Sequence, residues 1–168
     1  MNLRVFSDGS IVGGFWQSKK APPTLPHIFG GWIVFNHLDI PIKWHCWDMG
    51  SNKDYSANVA EYGALRSALH WLNENFPMAN LEFYLDSQLV CFQMTGKYNC
   101  HDKILLTWRD ECRRLANMFP SIKYNWHRRE EPKAQLADFC SKMTQPKYGG
   151  KIPENWNEFI AQMNGVKS

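Results

Sequence analysis

The sequence lacks the features that would place it in a membrane or in a secretory compartment. It contains no run of about 18 apolar residues, the length that a membrane-spanning helix requires. Its N-terminus lacks a basic region followed by an apolar stretch, so we expect no signal peptide. The five cysteines show no CxxC spacing, and their odd number argues against a disulfide framework. We therefore expect free thiols in a reducing compartment, a cytoplasmic location and no membrane partner.

The chain also has little net charge, no internal repeat and no low-complexity segment. Its net charge of +3 permits a nucleic-acid partner without requiring one. With 168 residues, 44% of them hydrophobic and 21% charged, the chain fits one globular domain with a substantial core. The aromatic content of 14% is high, so some rings can serve a surface rather than the core. We expect this domain to be a monomer.

The first third of the chain predicts three strands, at residues 3–7, 31–35 and 42–48. Residues 16–27 contain three prolines and two lysines, and they predict a loop that is longer than a hairpin requires. The next connection is short, so we expect the three strands to form an antiparallel meander.

The rest of the chain alternates helices with strands. A helix is predicted at 56–76, because its apolar residues recur at the spacing of a buried helix face. The elements that follow are a strand at 81–85, a short helix to Met94, a helix at 102–118, a strand at 122–126 and a helix from Pro132. Right-handed crossovers would place the strand at 81–85 parallel to the first strand and beside it. The prediction is an α/β fold with a mixed five-stranded sheet, three antiparallel strands and then parallel ones, flanked by helices.

Four acidic residues stand where this fold could bring them together. Asp8 and Asp86 follow two strands that we expect to be parallel neighbours, and ligands bind at that edge of an open α/β sheet. Glu61 begins the buried stripe of the long helix, on the face that turns toward the sheet. Asp138 lies off the core stripe of the last helix, from which it could complete the group.

Each of these acids also has a purely structural interpretation. Asp86 or Ser87 can cap the helix that follows, and Asp8-Gly9 is a common pair in hairpin turns. Residues 58–61 resemble a capping box, in which the final glutamate would stabilise the helix N-terminus. Asp138 can be a solubilising charge on an exposed helix face.

A metal site explains the four acids jointly. Clustered carboxylates repel one another unless a divalent ion lies between them, and we see no lysine or arginine placed within the group. Oxygen ligands favour Mg²⁺ or Mn²⁺ over zinc. Two such ions, about 3.5–4 Å apart, activate a water and stabilise the leaving oxygen of a phosphodiester. The implied reaction is in-line phosphodiester hydrolysis.

The acids lie in four short segments: Asp8-Gly9-Ser10, Asn58-Val59-Ala60-Glu61, Asp86-Ser87-Gln88 and Ala137-Asp138. In this order, over about residues 3–143, they resemble the motifs of type 1 ribonuclease H. The resemblance implies a ribonuclease H-like fold and an endonuclease that uses two Mg²⁺ ions, with Mn²⁺ as an alternative, to hydrolyse the RNA strand of RNA/DNA hybrids. It implies a catalytic domain at 1–144 and leaves 145–168 as a C-terminal extension with a short amphipathic helix.

On matching positions, the resemblance also implies roles for individual residues. The metal-binding and catalytic carboxylates would be Asp8, Glu61, Asp86 and Asp138. The residues contacting the hybrid backbone, minor groove or 2′-hydroxyls would be Gly9, Ser10, Asn58 and Gln88.

The final loop of that family often supplies a mobile His or Arg that aids turnover. His127, Arg128 and Arg129 are the candidates here. We favour His127 because a histidine can shuttle protons. The alternative is that His127 faces a phosphate or the solvent.

The sequence departs from the family pattern at several places. The segment 16–27 lengthens the connection after the first strand, and Ala134 stands where the family often has Asn. The turn at 97–102 is too short to hold the basic protrusion of some relatives. No part of the family pattern matches residues 145–168.

Two other functions compete with this one. An enzyme of the same fold could act on DNA as a nuclease or recombination enzyme, but the spacing between Glu61 and Asp86, with Ser87-Gln88 following, favours the hybrid nuclease. A non-catalytic hybrid-binding module should have lost at least one of the four carboxylates, and all four are present.

Overall fold

The computed structural model describes residues 1–14, 24–128 and 130–148, together with 157, 158 and 161. In chain order the elements are β1 (Asn2–Val12), β2 (His27–Phe35), β3 (Pro41–Ser51), α1 (Ala57–Asn75), β4 (Asn80–Leu85), α2 (Gln88–Met94), α3 (Lys103–Ala116), β5 (Ser121–Trp126) and α4 (Pro132–Met143). The five strands form one sheet in the order β3-β2-β1-β4-β5. The first three strands are antiparallel, and β4 and β5 run parallel to β1. The predicted mixed five-stranded sheet is confirmed.

Strand β1 does not end at Asp8, as the sequence predicted, but continues for four more residues. Its parallel pairing with β4 stops at Ser7 and Leu85, whereas its antiparallel pairing with β2 continues to Val12 and His27. Asp8-Gly9 is therefore part of the sheet and not a hairpin turn. Asp8 lies at the point where β1 has lost one neighbouring strand and keeps the other.

Ser56, and not Asn58, caps helix α1. Its hydroxyl accepts a hydrogen bond from the main-chain N–H of Val59 at 3.2 Å. Glu61 therefore lies more than one turn into the helix, where it cannot act in a capping box. The capping interpretation of Glu61 is wrong. The stripe that follows it is buried as predicted and consists of Ala64, Leu65, Ala68 and Leu72.

Helix α2 is capped by Ser87, whose hydroxyl accepts from the N–H of Val90 at 3.2 Å. Of the two residues that could have capped this helix, Ser87 is therefore the one that does so. Asp102 caps α3 in the same way. The buried residues of α3 are Leu105, Cys112 and Leu115, whereas Ile104 is exposed.

The core has two parts, one on each face of the sheet. The larger part lies beneath α1, α2 and α3. The smaller part lies beneath α4 and consists of Phe6, Ile33, Phe35, Ala134, Leu136, Ala137 and Cys140. On α4, Leu136, Cys140 and Met143 are buried, whereas Phe139 is only half-buried. Each face of the sheet is thus covered by a helix that also carries one of the four acids.

Two glycines let these helices approach the sheet closely. A methyl group on Gly9 would overlap the main chain of Ala60 in α1. A methyl group on Gly31 would overlap the main-chain nitrogen of Ser141 in α4. Glycine is needed at such contacts because no side chain fits between the two backbones.

Several sequence predictions fall outside the described residues, namely most of the 16–27 loop, Arg129 and nearly all of the predicted helix near 153–163. All five cysteines are free, as predicted. Among the described helices, none has the length and apolar character needed to cross a membrane.

Gly31→Ala tests the contact between β2 and α4. We expect it to lower the free energy of unfolding by about 3 kcal/mol, because the added methyl group must displace the α4 backbone. Urea denaturation measures this loss. Gly50→Asn is the control, since Gly50 has a φ of 82° and nothing within 4 Å of an added Cβ. Asparagine tolerates that conformation, so an equal loss in both variants would contradict the interpretation.

Candidate metal centre

Three of the four acids form one cluster at the edge of the sheet. Asp8 comes from β1, Asp86 directly follows β4, and Glu61 comes from the second turn of α1. Each offers a carboxylate oxygen, and these oxygens lie within 4.8 Å of one another. The grouping depends on the parallel pairing of β1 with β4, which places Asp8 and Asp86 side by side.

The carboxyl groups of Asp8 and Glu61 are the buried members of the cluster, Asp86 is half-buried, and their like charges repel one another. Asp8 is only 6% exposed, and burial together with the charge of Asp86 raises its pKa to about 7. Glu61 keeps part of its surface accessible, but its carboxyl is buried. Burial and the charges of Asp8 and Asp86 raise the pKa of Glu61 well above its usual value.

The carboxyl groups of Asp8 and Glu61 also interact directly, and this interaction lowers the pKa of Asp8 and raises that of Glu61. Burial and mutual repulsion outweigh the lowering at Asp8, so both pKa values are raised overall. Without a cation, these raised pKa values favour retention of a proton by the pair. Binding a divalent ion would replace that proton, because both processes neutralise the same repulsion.

Asp138 faces the same pocket but does not belong to the cluster of three. Its carboxylate forms an ion pair with Lys142 at 2.7 Å, and its side chain is 53% exposed. Its charge still reaches the cluster, since it contributes to the raised pKa of Asp8. The sequence interpretation assumed a group without a lysine, and Lys142 corrects that assumption for this one acid.

The pocket between these acids has a volume of about 130 Å³ and lies between the sheet edge and α4. Besides Asp8, Asp86 and Asp138, its lining consists of Ser7, His127, Ala134, Gln135, Ala137 and Lys142. This volume accommodates hydrated ions, and larger ligands must approach from the open side. Ala134, where the family often has Asn, also lines the pocket. It presents a methyl group there, whereas an asparagine would supply a polar amide.

His127 lies at the pocket wall, directly after β5. Its main-chain N–H donates to the carbonyl of Leu85 at 3.0 Å, which holds the loop beside the end of β4. Its Nδ1 lies 2.8 Å from the carbonyl oxygen of Arg128 and donates to it. Nε2 is therefore the ring nitrogen that can exchange a proton with a bound molecule.

The four residues predicted to contact a substrate lie around the cluster but differ in their surroundings. Gln88 is exposed in the first turn of α2, and Asn58 is half-buried in the first turn of α1. Gly9 is required by the backbone of α1. The Ser10 hydroxyl already donates to the carbonyl of Ser141 at 2.7 Å, so it is occupied within the protein.

Sequence reasoning missed three residues that contact the acids. Ser141 is fully buried, with its hydroxyl 2.9 Å from a carboxylate oxygen of Asp8. Trp126 donates its indole N–H to the carbonyl of Asp86 at 3.1 Å. Ser141 and Lys142 stand three and four residues after Asp138, a spacing that places them beside it on a helix and could have identified them. No comparable pattern identifies Trp126.

The chain was compared with protein families, with curated proteins and with solved structures. Residues 30–144 match the protein family described as reverse transcriptase-like. A sequence comparison with curated proteins finds no significant match.

Several solved structures share the fold. Ribonuclease H1 from the archaeon Halobacterium salinarum has a TM-score of 0.72 at 22% identity, with 88% of this chain and 99% of that one covered. LC11 ribonuclease H1, isolated from compost by a metagenomic approach and solved in complex with an RNA/DNA hybrid, has a TM-score of 0.71 at 20% identity, with 86% and 97% covered. The N-terminal ribonuclease H domain of a Mycobacterium tuberculosis protein has a TM-score of 0.70 at 21% identity, with 84% and 97% covered. The predicted ribonuclease H-like fold is confirmed.

Asp8→Asn tests how much the repulsion among the clustered carboxylates lowers the free energy of unfolding. Because the pKa of Asp8 is higher in the folded than in the unfolded chain, its contribution to stability is complete below about pH 4 and is lost as the pH rises through about 7. In EDTA above pH 7, the neutral variant should therefore exceed wild type in free energy of unfolding by a few kcal/mol. Excess Mg²⁺ should remove the difference by stabilising wild type.

Asp48→Asn is the control for this measurement. Burial is the largest single influence on Asp48 and raises its pKa, but hydrogen bonds from His27 and Gly50, together with the charge of His27, outweigh it and lower the pKa overall. Its contribution to stability is present above about pH 4 and is lost as the pH falls. The Asp48 variant should therefore lose stability at neutral pH. Thermal unfolding from pH 4 to pH 8 distinguishes the two, and equal slopes would contradict the assignment for Asp8.

Proposed function

The chain belongs to the reverse transcriptase-like family, and we propose that it is an endonuclease that hydrolyses the RNA strand of RNA/DNA hybrids. The observation that carries the proposal is the cluster of Asp8, Glu61 and Asp86 at the edge of a ribonuclease H-like sheet. Support also comes from LC11 ribonuclease H1, a protein of the same fold whose structure contains an RNA/DNA hybrid.

We propose that the cluster binds two Mg²⁺ ions, which Mn²⁺ can replace. The raised pKa values of Asp8 and Glu61 support this, because they show that the protein itself does not neutralise the cluster. Carboxylate oxygens are the ligands that Mg²⁺ and Mn²⁺ favour. Asp8, Glu61 and Asp86 would hold the ions, with Asp138 joining from α4. The bound ions would supply positive charge at the scissile phosphate and lower the pKa of the attacking water.

The residues around the cluster divide the remaining tasks. Asp138 is paired with Lys142 through Oδ2, so it would join the metal centre through its other carboxylate oxygen or after that pair separates. We assign to His127 a role in proton transfer to the leaving oxygen, because it lines the pocket and its Nε2 is not engaged by Arg128. Its position after β5 allows it to reach the pocket without being a metal ligand.

We propose that Asn58 and Gln88 contact the hybrid from the first turns of α1 and α2. Both helices begin at the cluster edge, and amide side chains can bond to base edges and to 2′-hydroxyls, which distinguish RNA from DNA. Gly9 and Ser10 would contribute through their main chain. The Ser10 hydroxyl is already bound to Ser141 and is not assigned to the substrate.

A cleavage assay with four labelled substrates tests the proposal. With Mg²⁺, the protein should cut the RNA strand of a hybrid and spare duplex DNA, single-stranded RNA and duplex RNA. Asp86→Asn should abolish cleavage with its circular dichroism spectrum unchanged, because Ser87 and not Asp86 caps α2. Asp110→Asn is the matched control, since Asp110 is exposed on α3 and pairs with Arg109. Equal cutting of duplex DNA, or activity that survives EDTA, would refute the assignment.

The role of His127 is tested by steady-state kinetics. We expect His127→Ala to lower kcat at least about tenfold without abolishing cleavage, because the metal centre stays intact. Arg128→Ala is the control. The bond from His127 goes to the main-chain carbonyl of Arg128, so removing the arginine side chain preserves it. A normal rate in His127→Ala together with a slow Arg128→Ala would move the role to the arginine.

A further inference from the structure

Ser141 stands between the cluster and helix α4. Its side chain has no exposed surface. Its Oγ lies 2.9 Å from Oδ2 of Asp8 and 2.7 Å from the main-chain oxygen of Asp138. One hydroxyl group thus touches a member of the cluster and the residue that carries the fourth acid.

The same turn of α4 is tied to β1 by two further hydrogen bonds. The Ser10 hydroxyl donates to the carbonyl of Ser141 at 2.7 Å. The side-chain amide of Gln145 donates to the Ser10 hydroxyl at 3.0 Å. Gln145, the first residue of the predicted C-terminal extension, is only 4% exposed. The chain therefore remains packed against β1 beyond the end of α4.

The opposite side of this turn is fixed by packing. The main-chain nitrogen of Ser141 lies so close to Gly31 that no side chain fits between them. Helix α4 is thus pressed onto β2 at the residue that also bonds to Asp8. If α4 moved along the sheet, the buried hydrogen bond between Ser141 and Asp8 would break.

We propose that Ser141 is a positioning residue for the metal centre, which orients the Asp8 carboxylate and holds Asp138 within reach of the same ions. This inference rests on the proposed metal-dependent function. A serine hydroxyl has one proton to donate, and a carboxylate is a stronger acceptor than a main-chain carbonyl. Donation to Oδ2 restricts rotation of the Asp8 carboxyl group. The orientation of Oδ1 is thereby fixed as well.

Removing the hydroxyl should therefore weaken metal binding more than it weakens the fold. Groups that hydrogen-bond to a metal ligand change metal affinity by about 10- to 100-fold when they are removed. For Ser141 the effect would be transmitted through Asp8, because the hydroxyl lies 2.9 Å from Oδ2 of that carboxylate.

The experiment is a titration of the full chain with Mn²⁺, followed by electron paramagnetic resonance in the absence of any hybrid. We expect Ser141→Ala to weaken Mn²⁺ binding about tenfold. In cleavage assays its Mg²⁺ requirement should rise, with kcat recovering at saturating Mg²⁺. Ser141→Cys retains similar volume with a poor donor and should behave in the same way. It also provides the test if the alanine variant does not fold.

Ser67→Ala is the matched control. The Ser67 hydroxyl accepts a hydrogen bond from the indole of Trp32 at 3.0 Å, on the opposite face of the sheet from α4. This variant should lose stability but keep wild-type Mn²⁺ affinity. Unchanged Mn²⁺ affinity in both Ser141 variants would overturn the inference, as would an equal loss of affinity in Ser67→Ala.

The same data separate this inference from the proposed function. If wild type binds Mn²⁺ and Ser141→Ala weakens binding, but no hybrid is cut, the positioning role stands and the nuclease assignment fails. If hybrid is cut and the Ser141 variants bind Mn²⁺ normally, the nuclease stands and the positioning role fails.

Discussion

The repulsion among three clustered carboxylates is the constraint on which the rest of this structure depends. Asp8, Glu61 and Asp86 come from three different elements, and their oxygens lie within 4.8 Å of one another. Such an arrangement costs free energy in the folded chain unless a proton or a cation neutralises it. The raised pKa values of Asp8 and Glu61 favour neutralisation by a proton. The proposed divalent ions would neutralise the same charge and would also supply the chemistry of phosphodiester hydrolysis.

Close contacts between helices and strands on both faces of the sheet hold these acids together despite their repulsion. Gly9 lets α1 approach β1, and Gly31 lets α4 approach β2, in each case with no room for a side chain. These contacts bring Glu61 from one face and Asp138 from the other toward the same strand end. The two apolar clusters beneath the helices supply the burial that stabilises this arrangement. The glycines therefore serve the metal centre indirectly, by setting the distances between its supports.

Asp138 differs from the other three acids in its exposure and in its ion pair. Asp138 is exposed and paired with Lys142, so its charge is already compensated. Its helix is nevertheless held to β1 through Ser141, Ser10 and Gln145. An exposed acid on a helix that is held in place would suit the proposed metal site, because its side chain could change partners while its backbone stays fixed.

The sequence by itself determined the order and type of the elements, because apolar periodicity and capping residues are local signals. It also identified the candidate acids through short motifs and their order along the chain. It could not determine that β1 continues past Asp8, since that depends on pairing with β2. Nor could it choose Ser56 over Asn58, or Ser87 over Asp86, as a cap. Only the tertiary structure decided that three acids cluster while Asp138 pairs with Lys142, because that outcome depends on how one face of α4 meets the sheet. Only the tertiary structure decided that Ser141 links Asp8 to α4, because this contact joins residues more than a hundred positions apart.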